Sequence, residues 1–109
     1  MITLLAVTLV ANIHVHDGDT IGRGKDRIRI WGIDAPELTE PGGPASRAHL
    51  RNLIAGQRLT CDLIDVDRYG RRVMRCVLPD GRDVACEMVA AGAAEDWPRY
   101  SGGRYRSCE

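Results

Sequence analysis

The chain has 109 residues, enough for one hydrophobic core and too few for two. Hydrophobic residues make up 44% and charged residues 28%, which excludes a disordered composition. No apolar run approaches the roughly 20 residues that cross a bilayer, so no membrane role is expected. Fifteen basic residues balance fifteen acidic ones. That argues against gripping nucleic acid by bulk charge and leaves a local phosphate site open. Fourteen of the fifteen basic residues are Arg, which favours forked contacts to phosphate or carboxylate, although a skewed base composition explains the same bias.

Residues 1–109 read as one domain without internal repeats. Met1 to Ala11 is apolar but lacks a basic start, so it reads as the beginning of a strand rather than a leader. Residues 4–15 are rich in Leu, Val and Ile and predict the first strand. Asp17-Gly18-Asp19 marks a turn. Thr20 to Arg23 predicts a second strand, Gly24-Lys25-Asp26 a turn, and Arg27 to Ile33 a third strand. The loop 38–44 carries Thr39, Pro41, Gly42, Gly43 and Pro44. Ala45 to Ala55 predicts a helix that Gly56 stops.

Arg58 to Val66 and Arg71 to Leu78 flank Asp67-Arg68-Tyr69-Gly70 and predict a hairpin. In that register Leu59 faces Leu78, Cys61 faces Cys76, Leu63 faces Met74, and Ile64 faces Val73. Asp62 opposite Arg75 and Asp65 opposite Arg72 place opposite charges together. The chain has four cysteines, which allow three disulfide connectivities. Opposed cysteines on antiparallel strands lie within disulfide reach, so Cys61–Cys76 is expected. With no CxxC pair, a zinc site is not expected. Asp83 predicts the cap of a helix from Val84 to Ala91, stopped by Gly92. Asp96 to Gly103 reads as irregular, and Arg104 to Glu109 as the start of a last, truncated helix. Five short strands with helices at the corners predict a mainly β, α+β architecture: a five-stranded OB-fold barrel with two full helices.

Three clusters sit at strand ends: Asp17-Gly18-Asp19-Thr20, Arg29 with Asp34 and Glu37, and Asp67-Arg68-Tyr69-Gly70-Arg71. Asp19 and Asp34 offer hard oxygen ligands of the kind Ca²⁺ takes. Glu37 follows Asp34 closely enough to hold a water beside such an ion. Arg29 and Arg71 offer forks for phosphate oxygens, and Tyr69 a hydroxyl donor. Singly, each cluster reads as a turn or a surface charge. Together they are sufficient for phosphodiester hydrolysis. His14 and His16 alternate onto one strand face, and two histidines without a third ligand read as ordinary polar residues. His49 reads as a solvated helix residue and Trp31 as core. Trp97 and Tyr100 read either as a stacking platform for a nucleotide or as packing at the barrel end.

The motifs Val15-His16-Asp17-Gly18-Asp19-Thr20-Ile21, Arg27-Ile28-Arg29-Ile30, Gly32-Ile33-Asp34-Ala35-Pro36-Glu37 and Asp67-Arg68-Tyr69-Gly70-Arg71 resemble the staphylococcal nuclease (thermonuclease) family, in order and in spacing. The resemblance covers about Val10 to Tyr105. It implies a five-stranded OB barrel and a Ca²⁺-dependent nuclease that cuts DNA and RNA with little sequence preference, leaving 3′-phosphate ends. It implies Asp19, Asp34 and the carbonyl of Ala35 as calcium ligands, with Thr at that last position in the best-known members. Glu37 then resembles the carboxylate proposed as general base, Arg29 and Arg71 the two catalytic arginines, and Tyr69 and Tyr100 substrate-binding tyrosines. The loop from Leu38 to Gly43 is shorter and less basic than in those members, which implies a weaker grip on substrate. Relatives usually continue the last helix further than Glu109. A second bond, Cys86–Cys108, is left by elimination and would tie the tail to the second helix. Two disulfides imply a secreted or periplasmic setting. The competing expectation is an inactive OB module that binds nucleic acid or a partner protein, although it would be expected to have lost at least one of Asp19, Arg29, Asp34, Glu37 and Arg71.

Overall fold

The computed structural model describes residues 7–109. In chain order it contains β1 (Val7–Val10), β2 (His14–Asp17), β3 (Thr20–Arg23), β4 (Asp26–Ile30), β5 (Ile33–Asp34), α1 (Gly43–Ile54), β6 (Leu59–Val66), β7 (Arg72–Val77), α2 (Val84–Ala90), β8 (Glu95–Asp96) and α3 (Pro98–Ser101). A 3₁₀ turn over Arg106–Cys108 follows. Among the described residues, six strands form one sheet in the order β1-β6-β7-β4-β3-β2, and β5 pairs with β8. All pairs are antiparallel except β4–β7, which is parallel.

The sheet must curl. Its two edge strands, β1 and β2, are joined only by residues 11–13. A link that short spans on the order of 10–14 Å even when extended, so the edges approach each other as in an OB barrel. The single strand expected over residues 4–15 is therefore two strands. Its first residues, 4–6, lie outside the described residues. The break falls at Asn12, whose φ of 55° turns the chain into the left-handed region. Asn tolerates that region better than the β-branched residues around it. Counted as one bent strand, β1 and β2 restore the five strands expected from the sequence.

A second break separates β4 from β5, where one strand over Arg27 to Ile33 was expected. Gly32 adopts a φ of 83° there, and a Cβ would sit 2.7 Å from the Tyr105 ring. That turn sends Asp34 away from the main sheet.

The hairpin follows the expected register from Cys61–Cys76 through Leu63–Met74 and then slips. Asp65 faces Val73 and Val66 faces Arg72, so the expected Ile64–Val73 and Asp65–Arg72 pairs do not form. Ile64 is the extra residue of a bulge, which bends and twists a strand. Ile64 and Val66 are both exposed, so burial does not enforce strict alternation at this end.

The core inside the barrel gathers Ile21, Ile30, Ile33, Leu50, Leu59 and Met88. Helix α1 docks closely: a Cβ at Gly18 would collide with Ser46 Oγ, which donates to the Ala93 carbonyl at 2.6 Å. Asp83 caps α2 as expected, accepting the Ala85 N–H at 2.9 Å. Its other oxygen accepts from the Tyr105 hydroxyl at 2.9 Å and from Arg75 Nε at 3.1 Å. Burial first, then the charge of Asp83, pushes the Tyr105 hydroxyl above its ordinary range. The segment expected to be irregular contains β8 and α3, with Pro98 at the first turn of α3. The expected last helix is only the 3₁₀ turn. Both Cys61–Cys76 and Cys86–Cys108 are bonded, with Cα separations of 4.1 and 5.4 Å.

Candidate active site

Asp19 lies in the turn immediately before β3, and Arg29 lies opposite Thr20 on β4. Arg29 points under the β4–β5 turn and donates from Nη1 to the Ile33 carbonyl at 3.0 Å and the Ile30 carbonyl at 3.2 Å. The same nitrogen lies 3.3 Å from Asp19 Oδ2, and Nη2 lies 3.7 Å from Asp34 Oδ1. One guanidinium thus joins two carboxylates, one from the turn before β3 and one from β5. Its Cζ lies over the Trp97 ring, 5.3 Å from the ring centre, a cation–π contact. Carbonyls, carboxylates and an indole fix the side chain, which is only 12% exposed.

Asp19 is held as firmly. Oδ2 accepts the Ala35 N–H at 2.7 Å and Oδ1 accepts the Thr20 hydroxyl at 3.0 Å. Burial, reinforced by Asp17, pushes its carboxyl up to about 7, against the opposing pull of Arg29 and the Ala35 N–H. With Asp34, Asp19 offers hard oxygens, the donor chemistry of Ca²⁺. The residues present fit such an ion. Among the described residues no group of three or more His, Cys, Asp or Glu side chains gathers around one point. Two carboxylates would therefore be completed by backbone carbonyls and water.

Arg71 follows the β6–β7 turn. Its Nε donates to Asp67 Oδ2 at 2.6 Å, and its N–H donates to Asp67 Oδ1 at 2.9 Å. Asp67 Oδ1 also accepts the Tyr69 N–H at 2.9 Å. Burial pushes the Asp67 carboxyl up, but the bonds from Arg71 and Tyr69 outweigh it and hold the group below the usual range. Arg29, Arg71, Tyr69 and Tyr100 line one cleft of about 670 Å³, together with Trp97 and Arg99. Tyr69 is 75% exposed and Tyr100 51%, so both rings project from its rim.

Glu37 lies elsewhere. It is exposed, its N–H donates to Glu40 Oε1 at 2.7 Å, and it lines a neighbouring cleft with Asp34, Ala35 and His49. Asp34 links the two clefts, since it pairs with Arg29 from one and lines the other. Sequence reasoning assigned no role to Asp67, the anchor of Arg71, although an Asp two residues before a turn N–H is a recognisable Asx pattern. It also missed the contact of Trp97 with Arg29, which no local spacing signals.

The family described as "Staphylococcal nuclease homologue" matches residues 27–107. The chain belongs to the staphylococcal nuclease family. It is 40% identical over 102 residues to an "Uncharacterized endonuclease" of Escherichia coli O157:H7, a match covering 85% of this chain and 67% of that protein. It is 33% identical over 115 residues to the "Succinoglycan biosynthesis protein ExoI" of Rhizobium meliloti (strain 1021), covering 95% of this chain and 60% of that one. A "Probable staphylococcal-like nuclease CAN1" of Oryza sativa subsp. japonica is 36% identical over 83 residues, covering 76% of this chain and 25% of the rice protein. The chain thus spans between a quarter and two thirds of these relatives' lengths. As in the family, the fold is a curled sheet of OB type with helices at its corners. No helix among the described residues is long and apolar enough to cross a membrane.

Proposed function

We propose that this chain is a nuclease that hydrolyses phosphodiester bonds of DNA, RNA or both with little sequence preference, depends on Ca²⁺ and leaves 3′-phosphate ends. One observation carries the reading: two fixed arginines line one cleft, and the deeper of them pairs with two carboxylates, one from the turn before β3 and one from β5. Isolated surface arginines would not need such a frame.

Arg29 and Arg71 would fork the oxygens of the scissile phosphate, whose negative charge grows as water adds to phosphorus. The Ile30 and Ile33 carbonyls hold Arg29 and Asp67 holds Arg71 before substrate arrives, which supports the reading that little reorganisation is needed. Tyr69 and Tyr100, at the rim, would take sugar, phosphate or base. Contacts of this kind read backbone and ring faces, which accounts for weak sequence preference. Glu37, in the neighbouring cleft that Asp34 joins to this one, would accept the proton of the attacking water. The water oxygen bonds to phosphorus, the P–O5′ bond breaks, and the 5′-oxygen leaves with a proton from solvent. Asp19 and Asp34, with the Ala35 carbonyl, would hold Ca²⁺. The chemistry it supplies when bound is charge neutralisation at a phosphoryl oxygen.

The two disulfides support an oxidising setting, secreted or periplasmic. The test is incubation of end-labelled DNA and RNA oligonucleotides with wild type and Arg71→Lys, with product ends read by mass spectrometry. Products with 3′-phosphates from wild type, and far fewer from the variant, support the reading. Retention of oligonucleotide without cleavage would make the chain a binding module.

A further inference from the structure

His14 and His16 lie two residues apart on β2, an edge strand of the main sheet, and their rings meet although the pairing with β3 shifts register between Val15 and Asp17. Their Nε2 atoms are 3.1 Å apart and the rings meet edge to face, with centroids 4.7 Å apart. Two imidazole nitrogens each about 2.0–2.1 Å from one metal ion, at square-planar to tetrahedral angles, lie about 2.9–3.4 Å apart. The observed separation falls inside that range.

Room for the convergence comes from the neighbouring strand. Gly22 on β3 is the pairing partner of His14. A Cβ there would collide with His14 Nε2 and lie 3.0 Å from His16 Nε2. Gly22 does not carry a positive φ. The two imidazoles thus lie over the Gly22 backbone, in the space a side chain there would occupy.

The geometry points to a second metal site, independent of the carboxylate pair, in which His14 and His16 hold one borderline divalent cation of the Cu²⁺, Ni²⁺ or Zn²⁺ class through their Nε2 atoms over Gly22. Imidazole alone suits these ions and not Ca²⁺, which demands oxygen. Without metal, one Nε2 donates a hydrogen bond to the other. On loading, both neutral rings carry their proton on Nδ1, so no net proton change is needed. Waters fill the remaining positions, so the site is exchangeable and open to an added ligand. Cu²⁺ should bind most tightly, as the Irving–Williams order dictates.

The test uses the full chain with millimolar Ca²⁺ present, so that oxygen sites are occupied, and Cu²⁺ as probe. Titration calorimetry should give one Cu²⁺ per chain, and electron paramagnetic resonance should show coupling to two equivalent nitrogens. His14→Gln and His16→Gln should each weaken binding at least tenfold and leave one coupled nitrogen, with the circular dichroism of folded protein retained. His49→Gln should leave the affinity unchanged. Equal Cu²⁺ affinity in wild type and both β2 variants would overturn the proposal, and so would a single-nitrogen signal in wild type. Because no nuclease assay enters, the outcome is separate from the proposed hydrolysis.

Discussion

Arg29 Nη1 lies 3.3 Å from Asp19 Oδ2, with both side chains nearly buried. The pair joins the strand that opens at the Asp-Gly-Asp turn to the strand that ends at the cleft. Without Arg29, Asp19, whose carboxyl burial already pushes up to about 7, would take up a proton rather than stay a bare charge, and the bonds to the Ile30 and Ile33 carbonyls would be lost. Arg29→Ala is therefore expected to lower the melting temperature clearly, whatever happens to activity. Calorimetry on the purified variant checks this, and an unchanged melting temperature would show that the pair carries no such strain.

Arg29→Lys separates catalysis from folding. A lysine keeps the charge near Asp19 but cannot also reach the Ile30 and Ile33 carbonyls and offer a planar fork. Loss of one fixed oxyanion donor is expected to lower turnover by about 10²–10³-fold. Steady-state cleavage of a fluorogenic oligonucleotide should show the loss mainly in kcat. A fall confined to KM would assign Arg29 to binding alone.

The anchor of Arg71 is pH-sensitive in one direction. Asp67 is held below the usual carboxylate range in the folded chain. Its contribution is therefore complete above the unfolded value of about 3.9 and is lost as pH falls through the lower folded value. Stability measured from neutral to strongly acidic pH should show wild type above Asp67→Asn at neutral pH. The gap should close below about pH 4. A gap that widened in acid would contradict the hydrogen bonds drawn to Arg71.

The Cys86–Cys108 bond spans 22 residues and fastens the last turn to α2. Cys61–Cys76 spans 15 within the central hairpin. Each closed loop is expected to contribute about 3 kcal/mol. Reductant should lower the melting temperature, and Cys86→Ser with Cys108→Ser should reproduce part of that fall. No response to reductant would mean that the bonds constrain an unfolded state already compact.

Much of this was legible in the sequence. Asp62 opposite Arg75 and Cys61 opposite Cys76 fixed the hairpin register, because charge and burial both penalise a slip there. Asp83 identified its helix, because a side-chain oxygen must meet the first free N–H groups. Three features were not legible. The bulge at Ile64 lies where both faces are exposed, so no burial pattern marks it. The break at Asn12 depends on closure of the barrel, and Gly32 turns because the Tyr105 ring lies against it from 73 positions later in the chain. The motifs named Arg29 and Asp19, yet only the fold shows Trp97 in contact with that arginine and Asp67 holding Arg71. Such contacts cross between elements far apart in the chain, where spacing carries no signal.

Strand scission at the Arg29–Arg71 cleft, supported by a divalent ion, is the chemical event proposed for this chain. Supercoiled plasmid and a structured RNA, each incubated with the protein in Ca²⁺ or in excess chelator, test it most directly. The account predicts loss of intact polymer with Ca²⁺, its protection by chelator, and no scission by Asp19→Ala or Arg71→Ala. Scission that proceeds equally in chelator, or that survives both substitutions, would contradict it.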